Sequence, residues 1–211
     1  MRKLVVRMTV TADGYMCGPN KEMDWLFRNF HPDTKDWVVE TISGAGLHIM
    51  GSKTFNDMKS YWPAATEVLA EPMNKIPKAV FSRKGIAKGS EGLTTQARKD
   101  TPTSSLNQTK EQTEINLKEW ESSPVLTGPI YDELLRLKQQ PGNFILAHGG
   151  VSFIQSVVAT GLVDEYRLIV CPVVIGKGLS MFSSLEKAVD LKLINSIAFH
   201  TGIVGNVYRP K

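Results

Sequence analysis

Cysteine is scarce in this chain: Cys17 and Cys171 are the only two among 211 residues. Two isolated thiols cannot build a disulfide framework or a four-thiolate zinc site. Both are expected as reduced thiols near the core, and no metal site is expected. Long apolar runs are also missing. No stretch approaches the ~20 residues of a bilayer-spanning helix, so no membrane partner is expected. The basic, apolar start over residues 1–14 lacks the h-region of a secretion signal, and Asp13-Gly14 stands where a small-residue cleavage site would be. It reads as a first strand, with a cytoplasmic location. Positive charge is not concentrated: the net charge is +4, without a dense basic stripe. That argues against nucleic acid and suits a small anionic ligand.

Several catalytic signatures are absent. There is no H-E-x-x-H, C-x-x-C or G-x-S-x-G, which removes support for metalloprotease and serine-hydrolase chemistry. The segment IMGSKTF (residues 49–55) ends in Lys53-Thr54, yet Ser52 precedes them and Leu47 stands where a P-loop needs its first glycine. A nucleoside-phosphate kinase is disfavoured accordingly. The G-x-G-x-x-G dinucleotide fingerprint is missing too.

What is present is an alternation of apolar runs and helical periods. Residues 4–10 form a β-branched apolar run of the kind buried on both faces of a sheet. A helix follows through Trp37, Val38 and Ile42, with Asp33 or Thr34 suited to cap it, and it ends at Gly44. Residues 47–50 are a short strand. A helical turn opens at Ser52 or Thr54 and stops before Pro63. Residues 78–82 are a strand. The stretch 84–123 is poor in apolar residues and reads as a surface insertion, with a short helix over 111–117. Beyond it, Val125-Leu126 is a strand, and Pro129 suits the first position of a helix whose Ile130, Leu134 and Leu137 share a face. Residues 144–147 are a strand, Phe153, Ile154, Val157 and Val158 face the core from a helix, and residues 165–170 are another strand. Residues 191–208 form two strand-like runs broken at Gly202. One α/β domain over residues 1–211 is expected, with a mostly parallel sheet closed by antiparallel strands at its C-terminal edge.

Four loops, each after a strand, carry the chemistry: Ala12-Asp13-Gly14, Gly51-Ser52-Lys53-Thr54, Ser82-Arg83-Lys84 and His148-Gly149-Gly150. In an open parallel sheet such loops converge outside the carboxyl ends of the strands, where ligands bind. IMGSKTF offers a glycine, free N–H groups, a cation and two hydroxyls, the parts of an anion site; it is equally the make-up of a plain helix cap. Arg83 brings a planar fork suited to a phosphate monoester. Gly149-Gly150 lets backbone approach a ligand at a helix N-terminus, which favours a pyrophosphate. His148 is given no catalytic role.

Taken in order, these blocks resemble the dihydrofolate reductase superfamily, in the branch holding the reductase domain of the bifunctional riboflavin-pathway deaminase–reductase. The resemblance rests on TADGYMCGPNKEMDWL (residues 11–26), GLHIMGSKTF (46–55), IPKAVFSRK (76–84) and FILAHGGVSFIQSVVATGLVDEYRLIVCPVVIGKGLSMF (144–182). It covers most of the chain except 84–123, and no zinc-deaminase H-x-E…P-C-x-x-C pattern accompanies it. It implies a three-layer α/β/α fold with a mixed sheet of about eight strands. It also implies NADPH as cofactor, a homodimer, and hydride transfer to a pterin- or ribosylaminopyrimidine-like heterocycle. By position, Gly51, Ser52, Lys53 and Thr54 would meet the adenosine-side phosphates, and Ser82 and Arg83 the 2′-phosphate. Gly149, Gly150, Val151 and Ser152 would cradle the pyrophosphate. Ala12, Gly14 and Gly18 would border the nicotinamide. Asp24, Trp25 and Asp36 are the catalytic candidates, Trp25 with the Asp24 region as a wall, and any proton would come from Asp24, Asp36, Tyr15 or water. Where the branch carries Arg after the glycine, this chain has Ser52, leaving the cation to Lys53 or Arg83. A nicotinamide-nucleotide-binding protein without turnover, on the same fold, is the alternative.

Overall fold

The computed structural model describes residues 1–28, 31–85 and 106–211. Eight strands form one sheet: β1 (Leu4–Thr11), β3 (Leu47–Gly51), β4 (Lys78–Phe81), β5 (Val125–Leu126), β6 (Ile145–Ala147), β7 (Glu165–Cys171), β9 (Leu191–Ala198) and β10 (Val204–Pro210). Their spatial order is β5-β4-β3-β6-β1-β7-β10-β9. Every pair from β5 to β7 is parallel, whereas β10 runs antiparallel to both β7 and β9. A two-stranded sheet joins β2 (Tyr15–Cys17) to β8 (Leu179–Ser180) beside the end of β1.

Strand periodicity sorts the side chains into two cores. Leu4, Val6 and Val10 of β1 and Ile145 and Ala147 of β6 point to one face, where α6 (Ile130–Gln139) and α7 (Val151–Ala159) cover them. Val5 and Leu146 alternate to the other face, among Val38 and Ile42 of α2 (Pro32–Ser43) and Phe55 of α3 (Ser52–Lys59). Met73 of α4 (Ala70–Lys75) and Trp120 of α5 (Lys110–Glu121) complete that layer, with Trp25 of α1 (Asp24–Arg28). The result is a three-layer α/β/α arrangement. Each fully buried Leu or Ile on these faces contributes roughly 1.5–3 kcal/mol.

Three local expectations are corrected. The N-cap of α2 is His31; Pro32 takes the first helical position and Asp33 the second, where its carboxylate accepts the Thr34 N–H at 2.7 Å. Pro129 caps α6 from outside rather than opening it. The helix expected over 111–117 runs from Lys110 to Glu121, because Asn116 and Trp120, one turn apart, reach back into the protein. Trp120 Nε1 donates to Asn74 Oδ1 at 2.8 Å, and the Asn116 amide donates to the Pro63 carbonyl at 3.0 Å. The remainder of the expected insertion, residues 86–105, lies outside the described residues. Cys17 and Cys171 are free and buried, as expected. Among the described residues, no helix is long and apolar enough to cross a membrane.

Candidate functional site

Because six neighbouring strands run parallel, their carboxyl ends share one edge, and the four loops read from the sequence meet there. Two of them are in contact. A Cβ on Gly150 would sit 2.8 Å from Thr54 Oγ1, and one on Gly51 would sit 3.2 Å from Phe153 Cβ. The start of α3 and the start of α7 therefore lie side by side, each entered through a glycine, and their unpaired N–H groups form adjacent positive ends. Gly150 has φ of +88°, a conformation that a residue with a Cβ adopts at a cost. At Gly149 an added Cβ would meet nothing within 4 Å, so its backbone faces open space. Ser52 is the first residue of α3; Val151 and Ser152 open α7, and Val151 packs partly into the core.

The third loop is built differently. Ser82 Oγ donates to the Gly85 carbonyl at 2.7 Å, so this hydroxyl closes its own turn. Arg83 and Lys53 are exposed. The fourth loop is a strap. Asp13 accepts from Thr11 Oγ1 at 2.5 Å, Gly176 N at 2.8 Å and Ile175 N at 3.1 Å. The Thr11 hydroxyl and these two amides hold its carboxyl below the usual range. Asp13 thereby ties the 174–177 turn to the end of β1, leaving Ala12 and Gly14 exposed. A cavity of about 320 Å³ opens beside this turn, lined by residues that include Val10, Gly14, Tyr15, Leu168 and Met181. Gly18 lies at the far end of β2, where a Cβ would strike the Glu22 carboxylate.

The three residues expected to act on substrate are dispersed in exposure. Asp24 is exposed at the head of α1, Trp25 is 3% exposed within the core, and Asp36 is exposed on α2. A row of polar groups lies on the α2 face of the sheet, with His48, Lys78 and His148 buried and Arg7 and Arg167 partly so. Lys78 pairs with His48 across β4 and β3, and Arg7 pairs with Arg167 across β1 and β7. His148, just past β6, meets His48 edge-on with ring centroids 4.5 Å apart. Lys78 and Arg167 are satisfied: Lys78 Nζ donates to two backbone carbonyls, and Arg167 bonds Glu165 and Thr41. Arg7 Nε, His48 Nδ1 and His148 Nε2 are buried without hydrogen-bond partners. Burial pulls the Arg7 guanidinium down to about 10, His48 down to about 3 and Lys78 down to about 8. Burial first, then the neighbouring His48, Arg7 and Lys78, holds His148 well below its ordinary value. Both imidazoles are neutral at pH 7.

Sequence reading missed this row. Arg7, His48 and Lys78 fall inside three separate strands, and only the register of β4, β3, β6 and β1 brings them together. The one available signal was periodicity: a charged or imidazole side chain at an inward position of an otherwise apolar strand.

A parallel sheet of this order, edged by glycine-entered helices and closed by an antiparallel hairpin, defines a dihydrofolate reductase-like α/β/α fold. The RibD C-terminal domain family model matches residues 2–205, and the chain belongs to that family. It is 28% identical over 209 residues to the uncharacterized protein YyaP of Bacillus subtilis, covering 98% of this chain and 94% of that one. Among solved structures, a putative riboflavin biosynthesis protein from Shewanella sp. PV-4 superposes with a TM-score of 0.68 at 19% identity, covering 100% of this chain and 99% of that one. A pyrimidine reductase-like protein from Corynebacterium diphtheriae gives 0.63 at 15% identity, with 100% and 92% covered. Acinetobacter baumannii RibD gives 0.66 at 14% identity; this chain spans 58% of it.

Proposed function

We propose that this chain is an NADPH-dependent reductase of a small heterocycle, pterin- or ribosylaminopyrimidine-like. One observation carries the reading: two glycine-entered helix N-termini, at Gly51 and Gly150, packed against each other at the ligand-binding edge of the sheet. Open backbone at Gly149 and the positive φ of Gly150 fit a pyrophosphate. When bound, NADPH supplies the hydride. The protein's own work is placement and electrostatics. Gly149, Gly150 and Ser152 hold the pyrophosphate. Ser52, Lys53 and Thr54 meet the adenosine side, and the exposed Arg83 takes the 2′-phosphate in its planar fork. Ala12, Gly14 and Gly18 edge the nicotinamide end.

The heterocycle enters on the α2 face. Arg7 and His148 carry buried nitrogens without partners, and a guanidinium there favours an electron-rich carbonyl whose oxygen gains negative charge during reduction. Asp24 and Asp36 are the carboxylates this reading offers as proton donors, with Trp25 behind Asp24 as a rigid wall. The working unit is a homodimer. Edge strand β9 exposes Leu193, Ile194 and Ile197, and an apolar free edge calls for a partner; light scattering that returns the mass of one chain would end that part.

The exposure of both candidate acids favours one rival, a nicotinamide-nucleotide-binding protein without turnover. A screen of pterins, ribosylaminopyrimidines and simple carbonyls, following loss of NADPH absorbance, separates the two. Consumption on a pterin or ribosylaminopyrimidine is the expected result. Tight NADPH binding with no consumption on any compound favours the rival, and no binding overturns both.

A further inference from the structure

We infer that His31, Asp33 and His200 form a divalent-cation site of the zinc class, at the β7–β10 end of the sheet's carboxyl edge. His31 caps α2, Asp33 lies in its first turn, and His200 lies in the turn between β9 and β10. One candidate ligand atom from each residue lies within 4.8 Å of the other two. The carboxylate is already fixed. Its Oδ1 accepts the Thr34 N–H at 2.7 Å and its Oδ2 accepts the His200 N–H at 3.0 Å. Each oxygen also meets one imidazole, His31 Nδ1 at 2.8 Å and His200 Nδ1 at 2.8 Å.

These contacts hold the Asp33 carboxyl well below its usual range, the His200 backbone and ring contributing most. An ionised carboxylate with two imidazoles is a donor set carrying one negative charge. The imidazole centroids are 5.7 Å apart and tilted by 34°. Two imidazoles converging on one ion with metal–nitrogen bonds of about 2.0–2.1 Å have centroids roughly 5–6 Å apart. His31 and His200 are exposed, with 44% and 84% of their side-chain surface accessible, so both rings can turn by the ångström or so that coordination requires.

Two imidazoles and one carboxylate select zinc, nickel, cobalt or copper over magnesium and calcium, whose preferred ligands are oxygens. Three protein ligands leave at least one position to water, and because both imidazoles are exposed and must reorient to bind, an affinity of about micromolar is expected. The consequence is mechanical. Residues 33 and 200 belong to different ends of the chain, and an ion would clamp the β9–β10 turn onto the start of α2. Binding to the folded state alone raises stability by mass action. No motif announces the site, since its third ligand stands 167 residues from Asp33.

The test is calorimetric titration of the full-length, tag-free chain with zinc chloride, paired with thermal melts in zinc and in EDTA. We expect one ion per chain at micromolar affinity and a melting temperature raised by a few degrees, reversed by EDTA. His31→Ala and His200→Ala should each weaken zinc at least about tenfold and melt like the wild type in EDTA. His200→Gln keeps a donor for Asp33 but is a poor zinc ligand; it should lose zinc as the alanine variant does. No saturable binding, or binding unchanged in His200→Gln and His200→Ala, overturns the site. None of these readouts involves NADPH, so the result is independent of the proposed reductase.

Discussion

The two faces of one sheet differ sharply in chemistry although the same strands build both. Toward α6 and α7 the strands present Leu4, Val6, Val10, Ile49, Ile145 and Ala147, against Leu134, Ile154, Val157 and Val158. Toward α2 the same strands present Arg7, His48, Lys78 and, at the end of β6, His148, set among Val5, Met50, Trp25 and Trp120. The first face is a packing surface. The second tolerates buried nitrogens without partners, each costing about 1–3 kcal/mol. Both faces carry an apolar core, but the unpartnered polar nitrogens gather on the α2 face, with the glycine turns at the edge between the two.

The largest effect that would sharpen this contrast lies on the packing face. Ile154→Ala removes a side chain with no exposed surface and should destabilise the fold by about 2–5 kcal/mol, measured by urea unfolding. His48→Leu, equally buried on the other face, should cost far less, because it removes the unpartnered Nδ1 and loses only the long 3.4 Å contact of Nε2 with the Ile42 carbonyl. If the histidine replacement costs as much as the isoleucine truncation, the division of labour between the faces is wrong.

A smaller effect is the pH dependence of stability. His48 is held at about 3 against about 6.5 in the unfolded chain. Between those values the unfolded chain takes up a proton that the folded chain refuses. Stability is unaffected by this group above pH ~6.5 and falls as pH drops below it, by up to about 1.4 kcal/mol per pH unit. His148 acts in the same direction. Asp13 and Asp33, whose folded-state values are lowered, lose their contributions only as pH falls below ~4. The slope between pH ~6.5 and ~4.5 therefore belongs to the histidines, and His48→Leu should reduce it. An unchanged slope would mean that His48 is protonated in the folded state.

Much of this architecture was legible in the residues. The β-branched run of β1, the i, i+4 spacing of Ile130 and Leu134 and the Gly149-Gly150 break each follow from local periodicity and backbone chemistry, so the order of elements could be read directly. Convergence of the loops required only that the strands be parallel. The Arg7–His48–His148–Lys78 row was not legible, because its members become neighbours through register alone. The three-residue and two-residue strands β2 and β8 are too short to show a period. His31 at the α2 cap was hidden because Asp33 and Thr34, both good capping residues, stand beside it. The His31–Asp33–His200 cluster joins segments from opposite ends of the chain.

The central claim is that the paired glycine turns bind a nicotinamide dinucleotide. NADPH titration of wild type, Gly150→Val and Gly161→Ala, followed by nucleotide fluorescence, tests it most directly. Gly150 and Gly161 flank the same helix, and both have positive φ. A Cβ on Gly150 meets Thr54, whereas one on Gly161 meets nothing within 4 Å. The account predicts saturable binding by the wild type, similar binding by Gly161→Ala and a loss of at least about tenfold in Gly150→Val, or roughly 1.4 kcal/mol. Equal affinity across all three, or no binding by the wild type, would contradict it.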